Sequence, residues 1–204
     1  MAMINIIAGP PGIGKSTLGH QFVPPGMEIL KKDELVAANK AFHYKLFAEI
    51  AIQKWLSTIK HNLENNLDFA FELNMGMPKH YDFVLPAKND PQNKLNITLF
   101  FTDDLAMCQN RAASRFEQGE HYVNPVVLGN MYHNTIPLMM ANFSFIDRLT
   151  LIDVKRNGDI TTAGVYNKDN LSFDIYDKDP LWFKDRLRPF IEDQVSVPTY
   201  FFSR

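Results

Sequence analysis

Several features that would assign the chain to a special class are scarce or missing. Its 204 residues contain a single cysteine, Cys108, so an internal disulfide is excluded and a reducing cytosol suits the sequence. No apolar run approaches the roughly 20 residues that a membrane-spanning helix needs, and no signal-peptide pattern opens the sequence. The net charge of −2 creates no strong field for nucleic acid. We therefore expect a cytoplasmic protein that binds neither a membrane nor nucleic acid.

Eight residues near the N-terminus carry the strongest functional signal. They read Gly9-Pro10-Pro11-Gly12-Ile13-Gly14-Lys15-Ser16 and fit the phosphate-binding pattern Gly-x4-Gly-Lys-Ser/Thr. The apolar run at residues 3–8 predicts a buried strand before this loop, and residues 16–22 can begin a helix after it. In that context the loop and Thr17 are predicted to bind nucleotide, with Lys15 on the β- and γ-phosphates and the Ser16 hydroxyl on Mg²⁺.

Strands and helices are predicted to alternate through the first 154 residues. The predicted strands are residues 3–8, 27–30, 68–73, 95–101 and 148–153. The predicted helices after the loop are residues 42–65, 78–87, 103–118 and 124–142. Together with the phosphate-binding loop, this alternation favours an α/β fold of the P-loop type, with a mainly parallel five-stranded sheet flanked by helices.

The pattern changes near residue 157. Residues 161–166 and 171–176 predict a β-hairpin, and residues 181–193 predict a short amphipathic helix. We interpret residues 1–156 as a kinase-like core and residues 157–204 as a small C-terminal appendage packed on that core.

Three carboxylates follow or end predicted strands, where parallel sheets bind their ligands. Asp33 follows the second strand and either takes a proton from an attacking hydroxyl or caps a helix. Glu72 ends the third strand and either binds substrate or a Mg²⁺-bound water, or only reaches solvent. Asp103 follows the fourth strand, and it or Asp104 is expected to cap the next helix.

Two arginines precede a predicted lid. Arg111 and Arg115 are four residues apart and therefore share a helix face. Guanidinium groups suit the charge on a transferring phosphoryl group, although a solvated helix face would explain the same pair. Residues 118–123 form the predicted mobile segment, in which His121 either contacts substrate or is an idle loop histidine.

In this order the motifs resemble the zeta-toxin-like group of P-loop kinases, including its chromosomal relatives known as predicted ABC-type ATPases. The resemblance covers about residues 1–155, and its more specific element is Arg-x3-Arg-x3-Gly-x-His-x-Val at residues 111–123. It implies ATP or GTP with Mg²⁺ and phosphorylation of a hydroxyl on a small molecule, which is a sugar nucleotide in zeta toxins proper. By position it implies a phosphate and metal site at Lys15 and Ser16, a base at Asp33, a substrate-site carboxylate at Glu72, and lid arginines at Arg111 and Arg115.

The chain departs from this group on one predicted helix. Family members usually carry one or two arginines just before the tyrosine that matches Tyr132, where this chain has Gly129, Asn130 and Met131. A small-molecule kinase is the first interpretation. The alternative is an NTPase or nucleotide-binding module with little or no acceptor phosphorylation. An antitoxin-like partner is compatible with the resemblance, but no sequence feature indicates one.

Overall fold

A computed structural model of the chain describes residues 1–32, 35–36, 47–119 and 122–196. Two of the predicted site residues, Asp33 and His121, lie outside these ranges. Within the described ranges, no helix is both long and apolar enough to cross a membrane.

A seven-stranded sheet in the order β2-β3-β1-β4-β5-β6-β7 forms the centre of the molecule. Its strands are β1 (Met3–Ala8), β2 (Ile29–Leu30), β3 (Phe69–Leu73), β4 (Lys94–Phe101), β5 (Arg148–Val154), β6 (Ile160–Asn167) and β7 (Ser172–Ile175). The first five strands pair in parallel, as the alternation predicts. The predicted hairpin of β6 and β7 pairs antiparallel onto β5. The sheet therefore has seven strands instead of the predicted five.

Helices cover both faces of this sheet. They are α1 (Lys15–Leu18), which continues as a 3-10 turn over Gly19–Phe22, α2 (Phe47–Glu64), α3 (Pro78–Tyr81), α4 (Leu105–Glu117), α5 (Pro125–Ala141) and α6 (Arg188–Ser196). A wide π-helical turn over Phe183–Leu187 leads into α6. The helix predicted at residues 78–87 is shorter than expected, because after α3 only a 3-10 turn over Leu85–Asn89 continues it.

Two apolar cores lie on opposite faces of the sheet. Successive strand residues point to opposite faces, so Ile6 and Phe101 enter one core while their neighbours Ile7 and Phe100 enter the other. The first core contains side chains of α2, α5 and α6, such as Ile191. The second contains side chains of the phosphate loop and α4. The phosphate loop is therefore packed into the protein interior from one face.

Local periodicity predicts most buried helix residues but not all of them. In α2, Ile52, Trp55 and Ile59 recur at helical spacing, which predicts one buried apolar stripe; Trp55 and Ile59 are buried, whereas Ile52 is exposed. In α4, the helical spacing of Leu105, Cys108, Ala112 and Phe116 predicts that all four face inward, but Phe116 is 51% exposed. It lies on the last turn of the helix, where its ring contacts Tyr122 edge-to-face instead of the strands.

Helix starts follow local capping rules. Asp104 caps α4 by accepting the Met107 N–H at 2.8 Å, and it also pairs with Arg156. The Asn124 side chain caps α5 by accepting the Val126 N–H at 2.9 Å. Of the two aspartates considered for α4, Asp104 is thus the cap.

Asp103 caps a different helical segment, 78 residues further along the chain. Its carboxylate accepts the backbone N–H groups of Leu181 and Trp182, each at 2.8 Å. The Trp182 indole N–H donates to Asp153 at 2.9 Å, and its ring packs edge-to-face on Phe101. Burial raises the pKa of the Asp153 carboxyl. The carboxyl ends of β4 and β5 are therefore bonded directly to the start of the C-terminal helical segment.

We expect Asp103→Ala to lower the free energy of unfolding by about 0.5–2 kcal/mol, because two N–H groups lose their acceptor. Asp179→Ala is the matched control. Asp179 is exposed, lies two residues before Leu181, and its carboxylate has no hydrogen bond to the described residues. Urea unfolding of both variants measures the difference. Equal stability of the two variants would contradict this docking contact.

Candidate active site

The phosphate loop packs against β4 and α4 so closely that two of its positions require glycine. Gly9 and Gly12 have positive φ angles of 139° and 78°. A Cβ on Gly9 would lie 2.3 Å from the Phe100 carbonyl oxygen, and one on Gly12 would lie 2.2 Å from that of Cys108. The loop backbone is thereby fixed between the end of β4 and the first turns of α4.

The side chains at the start of α1 form a small charged cluster. Lys15 is 5% exposed, and its Nζ donates to the carbonyl oxygens of Gly9 at 2.9 Å and Pro10 at 3.0 Å. The same Nζ lies 3.8 Å from Glu72 Oε1. The Ser16 hydroxyl donates to Glu72 Oε2 at 2.8 Å. The structure therefore brings together three of the residues predicted from sequence.

Strand register explains why Glu72 reaches this cluster. β1 and β3 are parallel neighbours, and Ile7 pairs with Glu72 just before the chain leaves β1 for the phosphate loop. The Glu72 side chain is 17% exposed, so its charge is partly withdrawn from water and is balanced by Lys15. A hydroxyl and a carboxylate side by side are the hard oxygen donors that Mg²⁺ prefers. These residues fit a Mg²⁺–nucleotide site.

The two predicted lid arginines lie on α4, the helix that packs against Gly12. Arg111 is one turn beyond the contact residue Cys108, and its guanidinium donates to the Arg156 carbonyl oxygen at 3.2 Å. Arg115 is one turn further and exposed. Helix α4 thus carries both arginines beyond the residue that contacts Gly12, and the Arg111 side chain reaches the segment after β5.

The single cysteine lies beside the loop, but its thiol has low reactivity. Cys108 is fully buried, and burial raises the pKa of its thiol to about 11. The thiol is therefore protonated near neutral pH and is a poor nucleophile.

The loop after β3 is a feature that the sequence did not reveal. Met75 is buried with a φ of 53°, a left-handed conformation that costs a non-glycine residue about 1–3 kcal/mol. A Cβ on Gly76 would lie 2.4 Å from the Met131 carbonyl oxygen of α5. The Tyr132 hydroxyl donates to the Thr102 carbonyl oxygen at 2.7 Å. Helix α5 is thus fixed across the ends of β3 and β4.

His80 on α3 was also missed. It is 8% exposed, and burial, followed by the charges of Lys32, Lys79 and Lys15, lowers the pKa of its imidazole to about 4. Its sequence context, Pro78-Lys79-His80, reads as an ordinary helix start, so no local signal marks it as buried. His80 is therefore a neutral side chain near pH 7.

Two predicted residues are not placed by the structure. Asp33 and His121 lie outside the described residues, as does Glu120 of the predicted lid, so their functions stay predictions. Gly119, which precedes them, has a φ of 88°, and an added Cβ would meet no atom within 4 Å.

No protein-family model and no curated protein matches the chain. Several solved structures share its fold at low sequence identity. A chain of the AvrRxo1-ORF1:ORF2 complex with ATP matches at a TM-score of 0.63 and 10% identity, over 100% of this chain and 66% of that one. The PezAT chromosomal toxin–antitoxin system of Streptococcus pneumoniae matches at 0.51 and 14%, over 79% and 71%. The Pnkp1/Rnl/Hen1 RNA repair complex matches at 0.53 and 12%, over 69% and 46%.

These similarities confirm the expected α/β fold of the P-loop type. At such identities they concern the fold alone. This chain spans 66% of the length of the AvrRxo1 chain with ATP, so it corresponds to about two thirds of that protein.

We expect Gly12→Ala to abolish nucleotide binding, because the added methyl would collide with the Cys108 carbonyl and displace the loop. Gly129→Ala in α5 is the matched control: its Cβ meets nothing within 4 Å, and it should stabilise the helix by up to about 1 kcal/mol. The shift of melting temperature with Mg·ATP measures binding in both variants. Equal shifts would contradict the proposed loop packing.

Proposed function

We propose that the protein is a Mg²⁺-dependent kinase that transfers the γ-phosphoryl group of ATP or GTP to a hydroxyl of a small molecule. The observation that carries this proposal is the cluster of Lys15, Ser16 and Glu72 at the phosphate loop. This position suits a nucleoside triphosphate with its metal ion, because it offers a buried lysine, a hydroxyl and a carboxylate. The fold shared with an ATP-bound structure is consistent with this assignment.

Each residue of the cluster has a distinct proposed role. Lys15 would exchange its carbonyl partners for the β- and γ-phosphate oxygens. Ser16 would hold Mg²⁺, which neutralises phosphate charge when bound. Glu72 would contact a water on that ion, since its carboxylate already meets the Ser16 hydroxyl. We favour this role of Glu72 over direct contact with the acceptor.

The remaining chemistry is assigned to residues around the cluster. We propose that Asp33 takes the proton from the acceptor hydroxyl as that oxygen bonds to the γ-phosphorus. The bond to the β–γ bridging oxygen then breaks, and the diphosphate leaves with the negative charge. Arg111 and Arg115 would stabilise charge on the transferring group, and His121 would contact the acceptor.

One observation favours the alternative of an NTPase or a binding module. Helix α5 carries no lysine or arginine in its 17 residues, although it crosses the ends of β3 and β4 beside the site. Beyond Lys15 of the loop, the positive charge that we propose for transfer comes from Arg111 and Arg115 of α4, and a site with less charge favours slow transfer. Turnover measurements on variants of the two lid arginines therefore distinguish the kinase from the NTPase or binding module.

A protein partner is a further part of this proposal. The structures of similar fold include one complex of ORF1 with ORF2 and one toxin–antitoxin system. We propose that a partner of the antitoxin type binds this chain.

The kinase proposal is tested with γ-labelled ATP, Mg²⁺ and a metabolite extract. We expect label on a small molecule whose mass increases by one phosphoryl group, and no turnover by a folded Lys15→Ala variant. Label released only as phosphate would support the NTPase, and a melting-temperature shift without turnover would support the binding module. Unchanged turnover in folded Lys15→Ala would contradict all three.

We expect Arg115→Ala to lower turnover by about 10²–10³-fold while nucleotide affinity stays nearly constant, because the guanidinium would meet charge mainly in the transition state. Arg115→Lys should restore only part of the rate, since an ammonium lacks the planar fork. Arg148→Ala is the matched control, an exposed arginine at the opposite end of β5. Equal losses of affinity and turnover in Arg115→Ala would place this residue in ground-state binding.

A further inference from the structure

The Tyr81 hydroxyl on α3 is a buried polar group without a hydrogen-bond partner. The residue is 5% exposed, and its hydroxyl oxygen is the one unpaired side-chain polar atom in the buried part of the described ranges. The ring belongs to the core on the face of the sheet that carries α2 and α5. A hydroxyl buried without a partner destabilises a protein, so its presence in a native core calls for an explanation.

A second costly feature lies on the same segment of the chain. Met75 is fully buried and has a φ of 53°, in the left-handed region that favours glycine. A non-glycine residue keeps such a conformation only where the surrounding structure enforces it. Strand β3 ends at Leu73, so Met75 and Tyr81 both lie in the segment 74–81 that follows this strand.

One contact on each side of Met75 holds this segment. Before it, Glu72 accepts a hydrogen bond from the Ser16 hydroxyl at 2.8 Å. After it, a Cβ on Gly76 would lie 2.4 Å from the Met131 carbonyl oxygen, so this glycine is pressed against α5. The strained backbone is therefore held between the phosphate loop and α5.

Nucleotide binding would change the first of these contacts and not the second. In the proposed function Mg²⁺ takes the Ser16 hydroxyl, and Glu72 moves to a water on that ion. The end of β3 then loses its bond to the loop, whereas the contact of Gly76 with α5 involves no loop residue and remains as a pivot. Beyond that pivot α3 is only four residues long, so a small rotation carries Tyr81 with it.

We infer that segment 74–81 is a nucleotide-responsive switch, which rearranges when Glu72 is released from Ser16 and thereby gives the Tyr81 hydroxyl a hydrogen-bond acceptor. The switch rests on the proposed function, because it requires Mg²⁺ and nucleotide at the phosphate loop. A ligand shifts a conformational equilibrium only by binding one state more tightly, and pairing of the hydroxyl supplies part of that difference. Tyr81 is a positioning residue, since it acts through β3 and its hydroxyl is buried away from the nucleotide.

The test is Tyr81→Phe in the full chain, a change that removes only the hydroxyl. Without nucleotide, we expect the melting temperature to rise by about 2–5 °C, because an unpaired buried group is lost. With Mg²⁺ and a non-hydrolysable ATP analogue, we expect the dissociation constant from calorimetric titration to increase at least about fivefold, because the bound state loses its new hydrogen bond. A purely structural tyrosine would change only the melting temperature.

Tyr166→Phe is the matched control. Tyr166 is 4% exposed and its ring packs on Phe143, but its hydroxyl is not an unpaired buried atom. The control substitution should leave the affinity for the analogue unchanged.

Three results would overturn the switch. A melting temperature of free Tyr81→Phe that does not rise would mean that the hydroxyl already has a partner. Equal dissociation constants for the wild-type protein and Tyr81→Phe would exclude the coupling while the proposed nucleotide site stands. Failure of the wild-type protein to bind the analogue would contradict the proposed kinase, and the switch with it.

Discussion

Close packing of the phosphate-loop backbone against two carbonyl groups is the constraint on which the site depends. Gly9 lies on the Phe100 carbonyl and Gly12 on the Cys108 carbonyl, at distances that leave no room for a side chain. This contact joins the loop to β4 and α4 at once. The same packing sets where α4 carries Arg111, so the loop and this arginine are positioned by one interaction.

A second constraint connects the loop to β3, which lies on the opposite side of β1 from β4. Lys15 is buried, and a buried ammonium needs a countercharge, which Glu72 on β3 provides. β3 continues into the strained segment at Met75 and Gly76, which packs against α5. A nucleotide that engages Lys15 would therefore act on a cluster that is joined through β3 to the packing contact between Gly76 and α5.

The parts of the fold that local rules determine could be predicted from sequence. β1, the phosphate loop, the Asp104 cap and the Asn124–Pro125 start of α5 depend on neighbours within a few residues. The attachment of the β6–β7 hairpin to β5 could not be predicted, because a hairpin pattern does not reveal which edge it joins. Asp103 shows the same limit: its partners are 78 residues away at Leu181.

The candidate site divides in the same way. Lys15 and Ser16 follow from a motif, and Glu72 follows from a carboxylate at a strand end. Burial of His80 arises from tertiary packing, and no pattern around it in the sequence signals that environment. The functions of Asp33 and His121 stay predictions, since both lie outside the described residues.

A crystal structure with Mg²⁺ and a non-hydrolysable ATP analogue tests the central claim most directly. The account predicts the triphosphate inside the loop of residues 9–16, with Lys15 Nζ on the β- and γ-phosphates. It also predicts the Ser16 hydroxyl on Mg²⁺ and Glu72 on a water of that ion. An analogue bound elsewhere, with Lys15 still on the Gly9 and Pro10 carbonyls and Ser16 still on Glu72, would contradict it.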